Sequence, residues 1–397
     1  MPQNTLIIGA SQAGIELASS LRELNPEDGI TLVGAETFAP YQRPPLSKSL
    51  HSHDSVPPRM QLRLPAFFDA QRIALHLGER IVEVDLARGQ AVSSSGGVFH
   101  FSGLALTVGA RARKLAVPGS NLGGITYLRG YADAVSLGSR METAREVVVI
   151  GAGLIGVEFA ALAKRCGRTV KIVEMGDGVM RRVASPTVSR MIRDTHASTG
   201  IEMMFNTTVV AFHGRAGRVE RLTLSDGSEI PADIVLIGIG SDPRTELAAG
   251  MGLECRNGVV VDARAMTSAA GVVAAGDCTV VRPSVPNGLY RRFESVSNAI
   301  GQAKVAAASL SGTSIPRTST PWFWSDQGIL RLQAAGNIED ATRQEVEARA
   351  GDQRLIVRHY REQALVAVEC VNCPGEFIAA RRQLDAVVES AAVSAVA

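Results

Sequence analysis

At 397 residues the chain is too long for one compact core, so two or three domains are expected. A hydrophobic content of 46% with 20% charged residues describes an ordinary globular protein; no apolar run is long enough to span a membrane, and a net charge of +2 gives no reason to expect a nucleic-acid partner. Five cysteines (Cys166, Cys255, Cys278, Cys370, Cys373) make neither an even disulfide ladder nor paired metal knuckles, and the N-terminus lacks the charged region, apolar core and cleavage site of a signal peptide, so a reduced cytoplasm is the expected setting.

The chain opens with a strand over 5–8, then Gly9-Ala10-Ser11-Gln12-Ala13-Gly14 and a helix to about 24. This is a dinucleotide fingerprint in which Gly9 turns the strand, Gly14 lets helix and strand approach, and Ser11 stands where the middle glycine would meet a phosphate. A second strand over 30–33 leads to Glu36, a candidate for a ribose hydroxyl. In Tyr41-Gln42-Arg43-Pro44-Pro45-Leu46-Ser47-Lys48 two prolines predict extended backbone between two cations, a wall suited to a flat ring with phosphates nearby or to a surface turn. Short β-type runs fill 71–107 and end in Thr107-Val108-Gly109-Ala110-Arg111, and a helix is predicted over 133–145.

A more complete fingerprint follows: the strand Val147-Val148-Val149-Ile150, then Gly151-Ala152-Gly153-Leu154-Ile155-Gly156, a small-residue helix, and a strand closing at Glu174. Gly151 permits the sharp turn, Gly153 leaves room for a pyrophosphate, Gly156 permits close packing, and Glu174 would accept both adenosine ribose hydroxyls while repelling a 2′-phosphate, which favours NADH over NADPH. Next come a hairpin-rich meander over 209–230, a buried strand over 234–237, and the run 271–277, which ends in Gly276-Asp277. Glu294-Ser295-Val296 opens an alanine-rich helix over 300–310. Beyond Pro321, Trp322-Phe323-Trp324-Ser325-Asp326-Gln327 begins a further stretch of β-type runs, followed by a helix from 374 and a fraying tail over 390–397. Cys370-Val371-Asn372-Cys373 has redox spacing but lies far in sequence from either nucleotide motif.

Taken in order, the 41–48, 107–111, 151–158, 274–277, 294–296 and 321–327 motifs make the sequence resemble the flavin-dependent ferredoxin reductases of bacterial oxygenase systems. The resemblance implies an α/β fold of glutathione-reductase type. It has two Rossmann-like dinucleotide-binding domains, for FAD (1–112 and 243–319) and NADH (113–242), and a C-terminal α+β domain (320–397). It also implies that Arg43, Pro45 and Lys48 lie against the flavin, that Asp277 after Gly276 holds its ribityl chain, and that the Val296 amide approaches its pyrimidine edge. Thr107, Arg111 and Trp324 join the cofactor site, Trp324 as a core residue, as a ring-stacking wall, or as a residue that carries or gates electrons toward the partner. A Lys48–Glu158 pair at the flavin N5 becomes the expected hydride-transfer site. Two departures from the pattern are Ser11 and Gly328.

The expected reaction passes electrons from NADH through FAD, one at a time, to a [2Fe–2S] ferredoxin that feeds a cytochrome P450 or a Rieske oxygenase. An acidic ferredoxin would dock on basic residues, with Arg291 and Arg292 as candidates. Two alternatives share the motifs: an NADH-responsive flavoprotein resembling apoptosis-inducing factor, and a pyridine-nucleotide disulfide reductase. Against the latter, no cysteine follows Lys48 where such enzymes place theirs.

Overall fold

The run Leu6-Ile7-Ile8 is apolar on both faces, and its strand, Asn4–Ile8, is the middle one of a five-stranded parallel sheet in the computed structural model, which describes residues 4–283, 288–349 and 352–394. The strand order is Val272–Ala274, Gly103–Leu106, Asn4–Ile8, Gly29–Gly34, Ile73–Leu77, with Ile7 opposite Ala105 on one side and Leu32 on the other. Ile7, Leu32, Ala105 and Val273 share a core with Leu17 and Leu21 of the helix Gln12–Leu24 and with Ala303 and Ala306 of the helix Val296–Leu310. Leu6, Ile8, Leu104 and Leu106 point the other way, toward Val259 and Val261. Apolar side chains on both faces are what a parallel sheet between two covering layers requires.

The same logic repeats around Glu146–Ile150, the centre of a second parallel sheet ordered Glu202–Met204, Thr169–Val173, Glu146–Ile150, Ile234–Ile237, Ile125–Thr126. Val148, Ile150 and Val173 pack against the antiparallel meander through Phe212, Leu222 and Leu224. The helix Leu154–Arg165 packs on the sheet as well, its Val157, Phe159, Ala160 and Ala163 all buried. The C-terminal stretch is a five-stranded antiparallel sheet ordered Trp322–Gln327, Leu330–Gly336, Ala364–Val371, Arg354–Arg361, Arg343–Arg349; the helix Pro374–Ser394 lies on it through Phe377, Ala380 and Leu384. The expected fold class, two Rossmann-like sheets and a C-terminal α+β part, is present.

By contact the chain divides into two compact units, one of residues 1–42, 53–111 and 241–321, the other of residues 43–52, 112–240 and 322–397. Three local expectations need correction. Pro44–Ser47 is a 3₁₀ turn rather than extended chain, because a proline φ near −65° also fits a helical first turn, where the missing N–H is not needed. The helix expected over 133–145 spans Tyr131–Met141, since Asp133 accepts from the amides of Arg129 (2.9 Å) and Gly130 (2.8 Å) and so fixes its start further upstream. The alanine-rich helix begins at Val296 rather than 300, because Ser295 caps it. Of the tail expected to fray, residues 395–397 lie outside the described residues.

Candidate functional site

Both fingerprint turns are built by glycines doing different jobs. Gly9 has a φ of +120°, and a Cβ on it would lie 2.2 Å from the Thr107 carbonyl oxygen, so only glycine closes this turn. The Thr107 hydroxyl donates to the Gly9 carbonyl at 2.8 Å, and Gly14 packs on that same carbonyl. In the second turn Gly151 (φ +98°) and Gly156 are equally crowded, with Cβ positions 2.5 Å from the Gly238 oxygen and 2.2 Å from the Gly151 oxygen. Gly153 differs: a Cβ there would meet nothing nearer than the Gly238 oxygen at 3.9 Å. Its missing side chain leaves room instead of relieving a clash, which fits the glycine that faces a pyrophosphate.

The helices that start at these turns suit phosphate. Ser11 and Gly153 are their N-caps; neither makes a side-chain cap bond, and neither helix has an acidic residue in its first turn. Amides and dipole at both starts are therefore available to an anion. By contrast, Ser185 and Ser295 cap their own helices, accepting from the amides of Val188 and Asn298. The carboxylate of Glu174 braces the second turn, one oxygen accepting from the Ala152 amide at 2.6 Å and the other from the Gly176 amide at 2.7 Å. The donor sets of the two turns fit the phosphates of FAD and NADH.

Two residues beyond Gly156, Glu158 is 5% exposed on the helix Leu154–Arg165. Its Oε1 accepts from Lys48 Nζ at 2.7 Å, from the Asp326 amide at 3.2 Å and from the Ser325 hydroxyl, and its Oε2 accepts from the Ser47 hydroxyl. The 3₁₀ turn Pro44–Ser47 delivers Ser47 and Lys48 on adjacent positions, and Arg165 donates to the Lys48 carbonyl at 3.0 Å. Four donors on two oxygens match an ionised carboxylate, which only accepts. Behind Ser325, the Gln327 amide donates to its hydroxyl oxygen at 2.8 Å, and Gln327 Oε1 meets His196 Nε2 at 3.2 Å. Ser325 and Gln327 are fully buried and His196 nearly so; burial holds the His196 imidazole below its usual range, and the Gln327 bond opposes this more weakly.

The remaining expected site residues have their own partners. Arg43 donates to the Arg129 carbonyl at 2.6 Å, Glu36 accepts from the Tyr41 hydroxyl at 2.6 Å, and Arg111 pairs with Glu246. The Pro45 carbonyl accepts from the Lys48 amide at 3.1 Å. Gly276 (φ +83°) donates its amide to Gln302 Oε1 at 2.9 Å and precedes the half-buried Asp277, and Val296 is the first residue behind the Ser295 cap. Arg292 is paired with Glu294 and is 14% exposed. Trp324 lies 5.5 Å, ring to ring, from Trp322, and alternation along the strand sets it on the face opposite Ser325 and Gln327. The structure thus brings Lys48 and Glu158 together and leaves Trp324 outside their cluster.

Ser47, Gln327, His196 and Gln302 were not singled out from the sequence. Ser47, Ser325 and Gln327 stood inside recognised motifs without a role of their own, while His196 gave no signal. Gly328 has a φ of +68° in the two-residue turn between the paired Gln327 and Leu330, so the hairpin accounts for that departure from the pattern. Cys370 and Cys373 are buried free thiols; Arg354 Nε donates to Cys373 Sγ at 3.4 Å, and burial pushes the Cys370 thiol up to about 12, which disfavours a thiolate at Cys370. Close by in sequence, the buried Glu369 accepts from the Ser185 amide at 2.8 Å and meets His359 Nε2 at 2.8 Å.

Comparison with known proteins adds to this geometry. Residues 3–303 match the pyridine nucleotide-disulphide oxidoreductase family, and residues 322–396 match a reductase C-terminal family. The chain is 40% identical over 379 residues to rhodocoxin reductase of Rhodococcus erythropolis, covering 96% of this chain and 88% of that one. It is 36% identical over 369 residues to rubredoxin-NAD(+) reductase of Pseudomonas putida, covering 93% and 96%. Among solved structures, the covalent putidaredoxin reductase–putidaredoxin complex is similar with a TM-score of 0.91 at 32% identity, covering 96% of this chain and 93% of that one.

Proposed function

The chain belongs to the pyridine nucleotide-disulphide oxidoreductase family, and on that premise we propose that it is an NADH-dependent ferredoxin reductase carrying FAD. The observation that carries this reading is the buried Glu158 carboxylate held against Lys48 by two serine hydroxyls, directly after a complete dinucleotide turn. When bound, FAD accepts hydride from NADH and passes the electrons on singly. The protein's part is to bind and to orient, so no nucleophile or general base is required of it.

The FAD domain is 1–112 with 243–319, the NADH domain 113–242 and the C-terminal domain 320–397. Gly9, Ser11, Gly14, Glu36, Thr107, Arg111, Gly276, Asp277 and Val296 hold FAD, joined by Arg43, Pro45 and Trp324. Gly151, Gly153 and Gly156 hold the pyrophosphate of NADH. Glu174 keeps a negative charge beside that turn, which disfavours a further phosphate on the ribose. Lys48 presents an ammonium to the reacting ring system, and Glu158 fixes where that ammonium stands.

A [2Fe–2S] ferredoxin is the electron acceptor, and a cytochrome P450 or a Rieske oxygenase is the destination of its electrons. The redox proteins named with the relatives, rubredoxin and putidaredoxin, support a protein as the electron acceptor. Among the described residues no helix is long and apolar enough to cross a membrane, and the cysteines are unpaired; we assign the protein to the cytoplasm, where NADH is supplied. The test is anaerobic mixing of the flavin-loaded protein with NADH, then ferredoxin. Rapid bleaching followed by rapid reoxidation on adding ferredoxin supports a reductase, whereas a long-lived reduced complex that changes assembly state supports the NADH-responsive alternative.

A further inference from the structure

The 321–327 motif is used by the reading above only for its tryptophan, yet its polar residues touch the reacting pair. Alternation along the strand Trp322–Gln327 turns Ser325 and Gln327 to one face, where both are fully buried. Their hydrogen bonds have a single consistent direction. Ser325 has one proton, and it goes to Glu158; the Ser325 oxygen must then accept from Gln327, which fixes the Gln327 amide with its oxygen toward His196. An amide oxygen only accepts, so His196 carries its proton on Nε2.

We infer that His196, Gln327 and Ser325 form a one-directional chain of hydrogen bonds, His196 to Gln327 to Ser325 to Glu158, that keeps the Glu158 carboxylate ionised and fixed against Lys48, and that these three are positioning residues for hydride transfer. The inference rests on the assignment of Lys48 and Glu158 as the reacting pair. Its physical basis is that a buried carboxylate stays charged only while its donors stay in place. Each link is buried, so no water replaces a lost donor without repacking. His196 ties the chain to a second helix, Pro186–Ser198, which is itself capped by Ser185 and held by Glu369 at its other end. The carboxylate's position is therefore set from the helix Leu154–Arg165, the 3₁₀ turn, the C-terminal sheet and the helix Pro186–Ser198 together.

The charged groups that face Glu158 or the elements packed on its helix are few. Lys48 comes from the 3₁₀ turn, which Arg43 precedes, and Lys164 and Arg165 from the same helix; Asp326 lies on the strand packed against that helix; His196 acts through Gln327; the neighbouring strands contribute Glu146 and Lys171, the latter paired with Glu202.

The test uses the flavin-loaded protein and the variants Ser325→Ala, Ser325→Thr, Gln327→Leu, His196→Leu and His196→Gln. Two readouts are followed: the infrared band of a protonated carboxyl group, assigned by its loss in Glu158→Gln, and the pH profile of flavin reduction by NADH. Ser325→Ala, the mildest change, is expected to bring in the carboxyl band at a higher pH than in the wild type and to move the acidic limb of the profile the same way. Gln327→Leu and His196→Leu are expected to move it less, and Ser325→Thr and His196→Gln, which keep a donor at the same place, to restore it. Lowered thermal stability with no carboxyl band and an unmoved acidic limb in Ser325→Ala means a purely structural role and overturns the proposal. The infrared readout needs no electron acceptor: a band that appears in a protein unable to reduce ferredoxin supports the chain while refuting the reductase reading, and rapid ferredoxin reduction with no band in any variant does the reverse.

Discussion

Replacing Glu158 with glutamine removes one negative charge and little volume from the centre of the cluster. Lys48 then loses its 2.7 Å partner, and the Ser47 and Ser325 hydroxyls, both aimed at carboxylate oxygens, face an amide that can accept on one side only. A hydrogen bond to a charged group contributes about 1.5–3 kcal/mol. If that amount is lost from the transition state, flavin reduction slows roughly ten- to a hundredfold, since about 1.4 kcal/mol is a factor of ten. The side chain is buried, so the loss is not screened as it would be at the surface. The assay is anaerobic stopped-flow reduction by NADH at saturating concentration, with flavin content and unfolding temperature measured on the same sample. A variant that keeps its flavin and its stability and is reduced at the wild-type rate would show that the Lys48–Glu158 pair has no part in the transfer.

Three further changes read other parts of the structure. Glu174→Ala takes away both the charge and the brace on the Ala152 and Gly176 amides; kcat/KM with NADH should fall about tenfold while that with NADPH rises, and an unchanged ratio of the two would count against the specificity role. Glu369→Ala strands His359 and the Ser185 amide in the interior and should cost about 3–5 kcal/mol in chemical denaturation, whereas a cost near zero would mean that the buried pair is not coupled to folding. The Cys370 thiol ionises at about 12 in the folded chain against 9.0 ordinarily, so the native state binds the proton more tightly. Its contribution to stability is complete below pH 9.0 and is lost as pH rises toward 12, a trend that Cys370→Ala should flatten in urea midpoints taken on either side of about pH 9.

How far these features were legible follows from the range of the interactions. The two parallel sheets were, because Leu6-Ile7-Ile8 and Val147-Val148-Val149-Ile150 are apolar on both faces and each runs straight into a glycine turn that packing demands. Pro44-Pro45 was misread because proline fixes φ and leaves ψ open: the same residues serve an extended wall and a 3₁₀ turn, and the choice is made by packing on the helix Leu154–Arg165. The serine donors to Glu158 could not be derived from spacing, since Ser47 and Ser325 lie 111 and 167 residues away from it along the chain. His196 sits on an ordinary amphipathic helix, and nothing local distinguishes it from a satisfied core histidine; only the fold aims it at Gln327. Glu36 and Glu174 were singled out as ribose ligands, yet they also make intramolecular bonds to Tyr41 and to the Gly151-Ala152-Gly153 turn, a second task that sequence position alone does not reveal.

The central claim is that this chain converts one two-electron donor into two one-electron deliveries. Anaerobic mixing of a catalytic amount of the flavin-loaded protein with one equivalent of NADH and an excess of oxidised [2Fe–2S] ferredoxin tests it most directly, with the iron–sulfur absorbance as readout. About two equivalents of ferredoxin should be reduced for each NADH consumed, with NADPH far less effective. Consumption of NADH without reduction of the iron–sulfur centre would contradict it.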